Sequence, residues 1–309
     1  MPELPDVALY VESLRTRVCN SALEGVVVSS PSVLKTYDPP LSALSGRQVL
    51  SVDRLGKQIV LSLTDEYHIV LHLMILGRLK WRDVEPAATR KPTRARPRRS
   101  PVLALFGFTS GELLFTESGT KHRASLHVVR GKQALAAFDR GGLEILSADL
   151  KAFRETLLRE SHTLKRTLTD PRLFSGVGNA YSDEILHRAG LSPLKLTRQL
   201  DADETQRLYG AAKRTLADWV ERLRKNAAGE FPKKVSAFQE GMAVHGRHNQ
   251  PCPDCGTAVQ RIVYAETESN YCPTCQTGGK LLADRALSRL LKGDWPRTLA
   301  ELEQMRRPQ

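Results

Sequence analysis

Apolar positions change their period twice along the chain. From about residue 5 to 18 they recur at helical spacing, with Val7, Leu9, Val11, Leu14 and Val18 among them, so one helix is expected to lead the fold. The period then shortens. Val26-Val27-Val28, Val49 to Val52, Ile59 to Leu63, Ile69 to Leu73, Leu103 to Phe106, Leu113 to Phe115 and Leu126 to Val129 alternate or run apolar between Gly, Pro and Asp punctuation. That is the pattern of strands in a β-sandwich or barrel. Helical spacing returns from about Leu146, over Asp149 to Arg159, Leu164 to Thr167, Ala180 to Ala189 and Asp201 to Arg224. Gly176-Val177-Gly178-Asn179-Ala180-Tyr181 reads as a tight glycine turn opening the third of these helices, which ends before Gly190. Asn179 is expected to cap that helix with its side chain, and the free amides at its N-terminus make an anion site suited to phosphate. The turn lacks a third glycine and follows helical rather than strand sequence, which argues against a dinucleotide fold. After Gln276 a last apolar stripe, Leu282, Ala286, Leu287, Leu290 and Leu291, is expected to dock on the protein.

Cysteine spacing adds a metal to this outline. Cys252-Pro-Asp-Cys255 and Cys272-Pro-Thr-Cys275 stand sixteen residues apart. Each CxxC turn brings two sulfurs to one point, and a β-hairpin of that length folds back to complete a tetrahedron with about 2.3 Å per zinc–sulfur bond. Four ligands leave no open position, so the zinc is expected to be structural, holding a ribbon too small to fold alone. Two disulfides or a redox CxxC are the alternatives. Cys19 has no mate in the pattern and is expected to be a buried apolar residue.

At 309 residues the chain has room for two domains plus the ribbon. Its 46 Lys and Arg outnumber 34 Asp and Glu, a formal charge of +12. In a protein with a zinc ribbon, that surplus points to a polyanion such as nucleic acid, against the plainer reading of a generic basic cytoplasmic protein. Six Lys or Arg and two Pro lie between Arg90 and Arg99, a flexible basic loop expected to be a solvated insertion, with DNA contact as the other reading. The first residues lack a basic flank and apolar run, so a cytoplasmic, non-secreted protein is expected. The strongly apolar stretch from Val70 to Gly77 is far too short to span a bilayer.

The start Met1-Pro2-Glu3-Leu4-Pro5-Asp6 carries candidate chemistry. Methionine ahead of a small residue is commonly trimmed, which would make Pro2 the terminus with a nucleophilic ring nitrogen. An α-amino group titrates at about 8, so a useful fraction is free amine at neutral pH. Glu3 beside it can supply or take a proton. An untethered end without function is the alternative.

Taken in order, Pro2-Glu3-Leu4-Pro5, Leu55-Gly56-Lys57, His72-Leu73, the Gly176 to Tyr181 turn, and Val244-His245-Gly246-Arg247 running into the CxxC ribbon resemble the formamidopyrimidine-DNA glycosylase and endonuclease VIII family, collinearly from residue 2 to Gln276. The resemblance implies an α+β protein: an N-terminal β-sandwich with a leading helix over residues 1–135, a helix-two-turn-helix domain over 146–228 and a β-hairpin zinc finger over 240–276; residues 277–309 fall outside it, and their apolar stripe predicts a helical extension. It implies a monomer acting on damaged double-stranded DNA. Pro2 would attack the sugar carbon bearing the base and leave an iminium, Glu3 would steer the proton transfers, and Lys57 would hold the neighbouring phosphate. Asn179 and Lys165 would grip the backbone. The function implied is a bifunctional glycosylase and lyase that removes an oxidised base and cuts the strand by β- or β,δ-elimination. A lyase confined to abasic sites and a non-catalytic lesion binder are the other readings.

The departures from the family pattern fall where substrate is read. In the oxidised-purine enzymes a Met fills the gap left by the flipped base, and Ile75 stands at that position here. The later turn, Glu117-Ser118-Gly119-Thr120-Lys121-His122-Arg123, lacks the familiar Asp-Pro-Arg-Arg-Phe and leaves Lys121, His122 and Arg123 as open candidates. Thr267 occupies the expected place of the finger arginine, and Arg261, six residues earlier, is the nearest substitute. The segment before Val244 is short for the loop that caps 8-oxoguanine, and Asp6 replaces a usual glutamate.

Overall fold

The structure, a computed structural model, describes residues 1–83, 101–118, 121–233, 235, 236, 238–264, 267–283, 289, 290 and 295–306. The basic loop between Arg90 and Arg99 lies outside the described residues, as do Ala286, Leu287 and Leu291 of the C-terminal stripe. The chain divides into two compact units, residues 1–140 with 219–236 and residues 141–218 with 237–309.

In the first unit, α1 (Leu4–Val18) buries Val7, Tyr10, Val11, Leu14 and Val18, the face that a 3.6-residue period selects. Arg15 fastens the helix to β2 (Arg47–Leu55): Nε donates to Val52 O at 2.6 Å and Nη2 meets Asp53 at 2.7 Å. The other strands are β1 (Ala22–Val28), β3 (Gln58–Leu63), β4 (Tyr67–His72), β5 (Gly77–Arg82), β6 (Val102–Phe108), β7 (Gly111–Glu117) and β8 (Ser125–Arg130). They hydrogen-bond in the order β5-β7-β6-β1-β2-β3-β4-β8, antiparallel throughout.

The β1–β2 joint is short, pairing Ala22 with Gln48 and Leu23 with Arg47, and a register shift lies beside it in each strand. Bulges of that kind bend a sheet, and here they separate two four-stranded halves. One core takes Phe106, Leu113 and Phe115 from one half and Ile59, Leu61, Ile69 and Leu71 from the other. The sheet is thus a sandwich folded from one hydrogen-bonded array. Each large side chain fully buried there contributes about 1.5–3 kcal/mol. Residues 219–236 close this unit: Val235 joins the core, Phe231 lies 5.7 Å from Tyr10 between ring centroids, and Arg224 pairs with Glu12 at 2.7 Å. A short helix, α2 (Lys132–Ala136), follows β8.

The second unit is helical. α3 (Leu150–Leu158) is capped by Asp149, whose Oδ1 accepts from Ala152 N at 2.8 Å, and α4 (Leu164–Thr169) by Thr163. α5 (Asn179–Ala189) stops at Gly190, which takes the left-handed φ of 64° that ends helices without steric cost. α6 (Ala202–Ala227) runs from this unit into the first. The hairpin β9 (Gln260–Tyr264) and β10 (Thr267–Tyr271) is followed by α7 (Pro273–Thr277).

Three expectations need correction. Asn179 is the first helical residue and not the cap: Gly178 holds the cap position with no side-chain bond. Cys19 is only partly buried, at the C-cap of α1, where it packs against the first unit's core. Leu290, a member of the apolar stripe, is 77% exposed and docks on nothing described. Strand β5 escaped the periodicity reading because it lies at the edge of the array, where Arg78, Lys80 and Arg82 break up its apolar run.

The turn between β4 and β5 depends on close backbone approach. Gly77 N donates to Leu73 O at 2.8 Å, and a Cβ on Gly77 would lie 2.1 Å from that oxygen. Gly77→Ala is therefore expected to destabilise the first unit by about 1–3 kcal/mol in denaturant unfolding.

Candidate active site and metal centre

Charged groups converge where the chain begins. Pro2, Glu3 and Asp6 are all buried at the start of α1, and Glu3 N donates to Asp6 Oδ2 at 3.0 Å in a capping box. This cap anchors a terminus that would otherwise fray. The α-amine of Met1 is half-buried, and burial lowers its pKa. Arg78 and Lys57 push it further down, while Glu3 and Asp6 oppose them. Burial also raises the Asp6 carboxyl from 3.8 to about 7, so it titrates near neutrality.

Lys57 reaches this region from the turn between β2 and β3, where Gly56 supplies a φ of 62°. Register places Gln58 opposite His72, which brings the β4 end of the sheet alongside. Burial pushes His72 down to about 4, helped by Lys57, His127 and Arg140. It is therefore neutral at pH 7.

The turn after β4 displays Ile75 and Leu76, 50% and 41% exposed. Arg78 braces them, with Nη1 donating to Ile75 O at 3.0 Å and Gly77 O at 2.7 Å. In the later turn Glu117 is buried and accepts from the amides of Arg123 and Ala124 at 3.0 and 3.2 Å. Lys121, His122 and Arg123 are left exposed beside it.

In the second unit the Lys165 ammonium donates to Asn179 O at 2.6 Å and to Asp183 Oδ1 at 2.5 Å. Asp183 is fully buried and also receives His245 Nδ1 at 2.8 Å and Ser269 Oγ at 3.1 Å. Burial alone would raise this carboxyl, but Lys165 and His245 together hold it below the usual range. Glu184 accepts the amides of Ala243, Val244 and His245 at 2.7, 2.9 and 2.9 Å. Two adjacent acids of α5 thus bind the segment that leads into the finger.

All four ribbon sulfurs lie within 4.8 Å of one another, with Cys252–Cys275 at 3.9 Å and Cys255–Cys272 at 3.4 Å. A tetrahedron with zinc–sulfur bonds of about 2.3 Å needs edges of about 3.8 Å, so the donor set fits. Burial pushes the thiols of Cys272 and Cys275 up, and a bound cation is what would hold them as thiolates.

Comparisons with known proteins match this arrangement piece by piece. Residues 1–118 match the formamidopyrimidine-DNA glycosylase N-terminal domain, 142–228 its H2TH domain, and 249–278 the zinc finger found in FPG and IleRS. The formamidopyrimidine-DNA glycosylase of Thermus thermophilus is 33% identical over 286 residues, covering 90% of this chain and 100% of the relative. That of Bacillus cereus is 32% identical over 292 residues, covering 89% and 99%. The chain belongs to the formamidopyrimidine-DNA glycosylase family. Two solved structures of the Lactococcus lactis Fpg share the fold over 89% of this chain and all of theirs. One is a complex with Fapy-dG-containing DNA (TM-score 0.75, 23% identity), the other with DNA containing an oxidised pyrimidine (0.76, 24%). The family's zinc finger and the fit of the four sulfurs make the ion one structural zinc.

Within this glycosylase-family framework the residues singled out earlier fall in different settings. Glu3 and Lys57 lie with the N-terminus, and Ile75 lies on the braced turn of the same unit. Lys165 and Asn179 lie together in the other unit, but Lys165 is already engaged with Asp183. Arg261 is exposed in β9, 3.5 Å from Glu268. Sequence reasoning missed Asp183 and Glu184, because adjacent acids early in a helix ordinarily complement its dipole in solvent. It also missed Arg78, one cation of a charged edge strand.

Among the described residues no helix is long and apolar enough to cross a membrane. The raised Asp6 carboxyl has a thermodynamic consequence. The folded state keeps its proton up to about 7, whereas the unfolded carboxyl loses it near 3.8. Stability from this group is therefore full below pH 3.8 and declines as pH rises towards 7. Asp6→Asn is expected to flatten the stability profile across that window, as urea unfolding at stepped pH would read.

Proposed function

We propose that Pro2, Glu3 and Lys57 carry the reaction, and that the second unit grips damaged double-stranded DNA by its phosphates. The protein is a bifunctional DNA glycosylase and AP lyase of base excision repair. The observation that supports this assignment of roles is the gathering of Glu3, Asp6, Arg78 and Lys57 around the start of the chain, where burial lowers the Met1 amine one residue before Pro2.

A base stacked in the duplex is out of reach, so the nucleotide is flipped out at a cost of a few kcal/mol, which a lesion lowers. Trimming of Met1 leaves the Pro2 ring nitrogen as the terminal amine. Its lone pair bonds to the sugar carbon bearing the base, and the base departs with the electrons of the glycosidic bond. The proton shed by the ring nitrogen goes to the departed base, Glu3 protonates the ring oxygen as the C1′–O4′ bond breaks, and the nitrogen lone pair completes a Pro2 iminium. The iminium acidifies the adjacent C2′–H. Loss of that proton, to Glu3 or Asp6, drives out the 3′ phosphate with its C–O electrons. Lys57 holds the phosphate beside the flipped sugar. Ile75, with Leu76 beside it, presents an apolar edge for the vacated stack.

Asn179, Lys165 and Arg261 are assigned to the DNA path. An oxidised base is the proposed lesion, in keeping with the Fapy-dG and oxidised-pyrimidine DNA bound by the Lactococcus lactis protein. Four reduced thiolates suit a cytoplasmic protein, and a monomer suffices for the chemistry. A second reading, a lyase confined to abasic sites, draws support from the altered turn that exposes Lys121, His122 and Arg123.

Borohydride trapping on duplexes with single lesions tests the reading. Adducts from intact damaged bases are expected; adducts with abasic DNA alone would favour the second reading, and none at all a binder without catalysis. Pro2→Glu, which retains Met1 and removes the ring nitrogen, is expected to lower trapping at least about 100-fold with folding intact. Lys57→Ala is expected to weaken binding to all duplexes alike, with the log–log salt slope shallower by roughly one unit, because phosphate carries no base sequence. An unchanged slope and affinity would remove Lys57 from the DNA path.

A further inference from the structure

One face of α5 is polar, buried and committed to the finger. Asp183 receives Ser269 and His245, Glu184 takes three amides of residues 243–245, and one turn further on His187 Nε2 lies 3.2 Å from Cys252 Sγ. His187 stands four residues from Asp183 and three from Glu184, the spacings at which helix positions adjoin, so the three contacts lie on one side of the helix. His187 and Cys252 are 5% and 2% exposed, which shields their contact from water. Cys275 Sγ and Asp254 also lie near the ring, all within 4.8 Å of one another; Asp254 Oδ2 is at 3.7 Å, beyond hydrogen-bonding distance, and two-thirds exposed.

Chemistry assigns the hydrogen. A zinc-bound thiolate carries no proton and acts only as an acceptor, so the proton in this contact belongs to the imidazole Nε2. A buried thiolate without N–H donors would leave its charge uncompensated. The backbone contact on the neighbouring sulfur is long, Cys275 N to Cys272 Sγ at 3.5 Å. The His187 contact is the shorter of the two.

We propose that His187 is a hydrogen-bond donor to the zinc thiolate of Cys252, and that this bond fastens α5 to the metal centre. The inference rests on the four-thiolate zinc reading and extends it to a residue outside the CxxC turns. Donation draws electron density from sulfur, makes Cys252 a poorer target for protons and oxidants, and slows loss of the metal. Because α5 begins at the Gly178-Asn179 turn, the same helix ties the metal to the phosphate-binding end of the unit.

The test compares full-length wild type with His187→Phe, which keeps a ring but has no donor, and His187→Gln, whose amide restores an N–H. Zinc content, the rate of zinc release to a chromogenic chelator, and the sulfur-to-cobalt charge-transfer bands of the cobalt-substituted proteins are measured. All three proteins are expected to hold one zinc. The Phe variant should release it about tenfold faster with shifted bands, and the Gln variant should recover most of the difference. If the Phe variant does not fold, His187→Leu carries the same comparison. Wild-type release and spectra in the donorless variant, or equal losses in Phe and Gln variants, would overturn the role of His187. Wild-type protein without zinc would instead overturn the metal reading itself.

Discussion

A chain terminus is ordinarily the least ordered part of a protein, and here a helix cap removes that freedom. The bond from Glu3 N to the buried Asp6 carboxylate starts α1 within three residues of the terminus. Tyr10 and Leu14 then sink the helix into the sandwich core. Every proposed step of the chemistry needs the terminal amine at a set place, and its placement follows from that cap. The cap has a cost. Burial raises the Asp6 carboxyl to about 7, so it gives up its proton only near neutrality. The fold thus holds a proton-exchanging group beside its amine as a consequence of ordering it.

The second unit solves a similar problem with charge pairing. Asp183 is fully buried, and removing one partner of such a pair leaves an uncompensated charge that costs about 3–5 kcal/mol. Lys165, His245, Ser269 and Asn270 surround it, so its acceptor sites are widely used. The pairing fixes geometry more than it adds stability. It sets an ammonium against the carbonyl of Asn179, at the turn assigned to phosphate. Lys165 is therefore held by two contacts, and in the phosphate role proposed for it would act as a braced donor, unlike a freely sampling surface lysine.

Much of this was legible in the sequence, because the signals were local. The seven strand segments named from apolar runs coincide with strands, Leu73 alone lying one residue past the end of β4, and the CxxC spacing brings four sulfurs together. What escaped was decided by groups distant in sequence. The partner of Lys165 is eighteen residues away, and Glu184 meets amides about sixty residues away. His187 finds Cys252 across sixty-five. No periodicity encodes such pairs. Asn179 failed as a cap for a local reason: Gly178 adopts the extended cap backbone one residue earlier, so the asparagine falls inside the helix. Strand β5 was hidden by cations that protect an edge.

The roles proposed for the first unit place two opposed demands on its positive charges. A nucleophilic amine must be unprotonated near pH 7, whereas a phosphate must be attracted. Burial is the main influence on both the Met1 amine and His72, and nearby cations add to it, Arg78 and Lys57 at the amine, Lys57 and Arg140 at the imidazole. A positive field disfavours further protonation, and in the proposed reaction the same field would draw in a phosphate. Lys57 acts in both places and joins the two effects. Glu3 and Asp6 pull the Met1 amine the other way and offset part of that lowering.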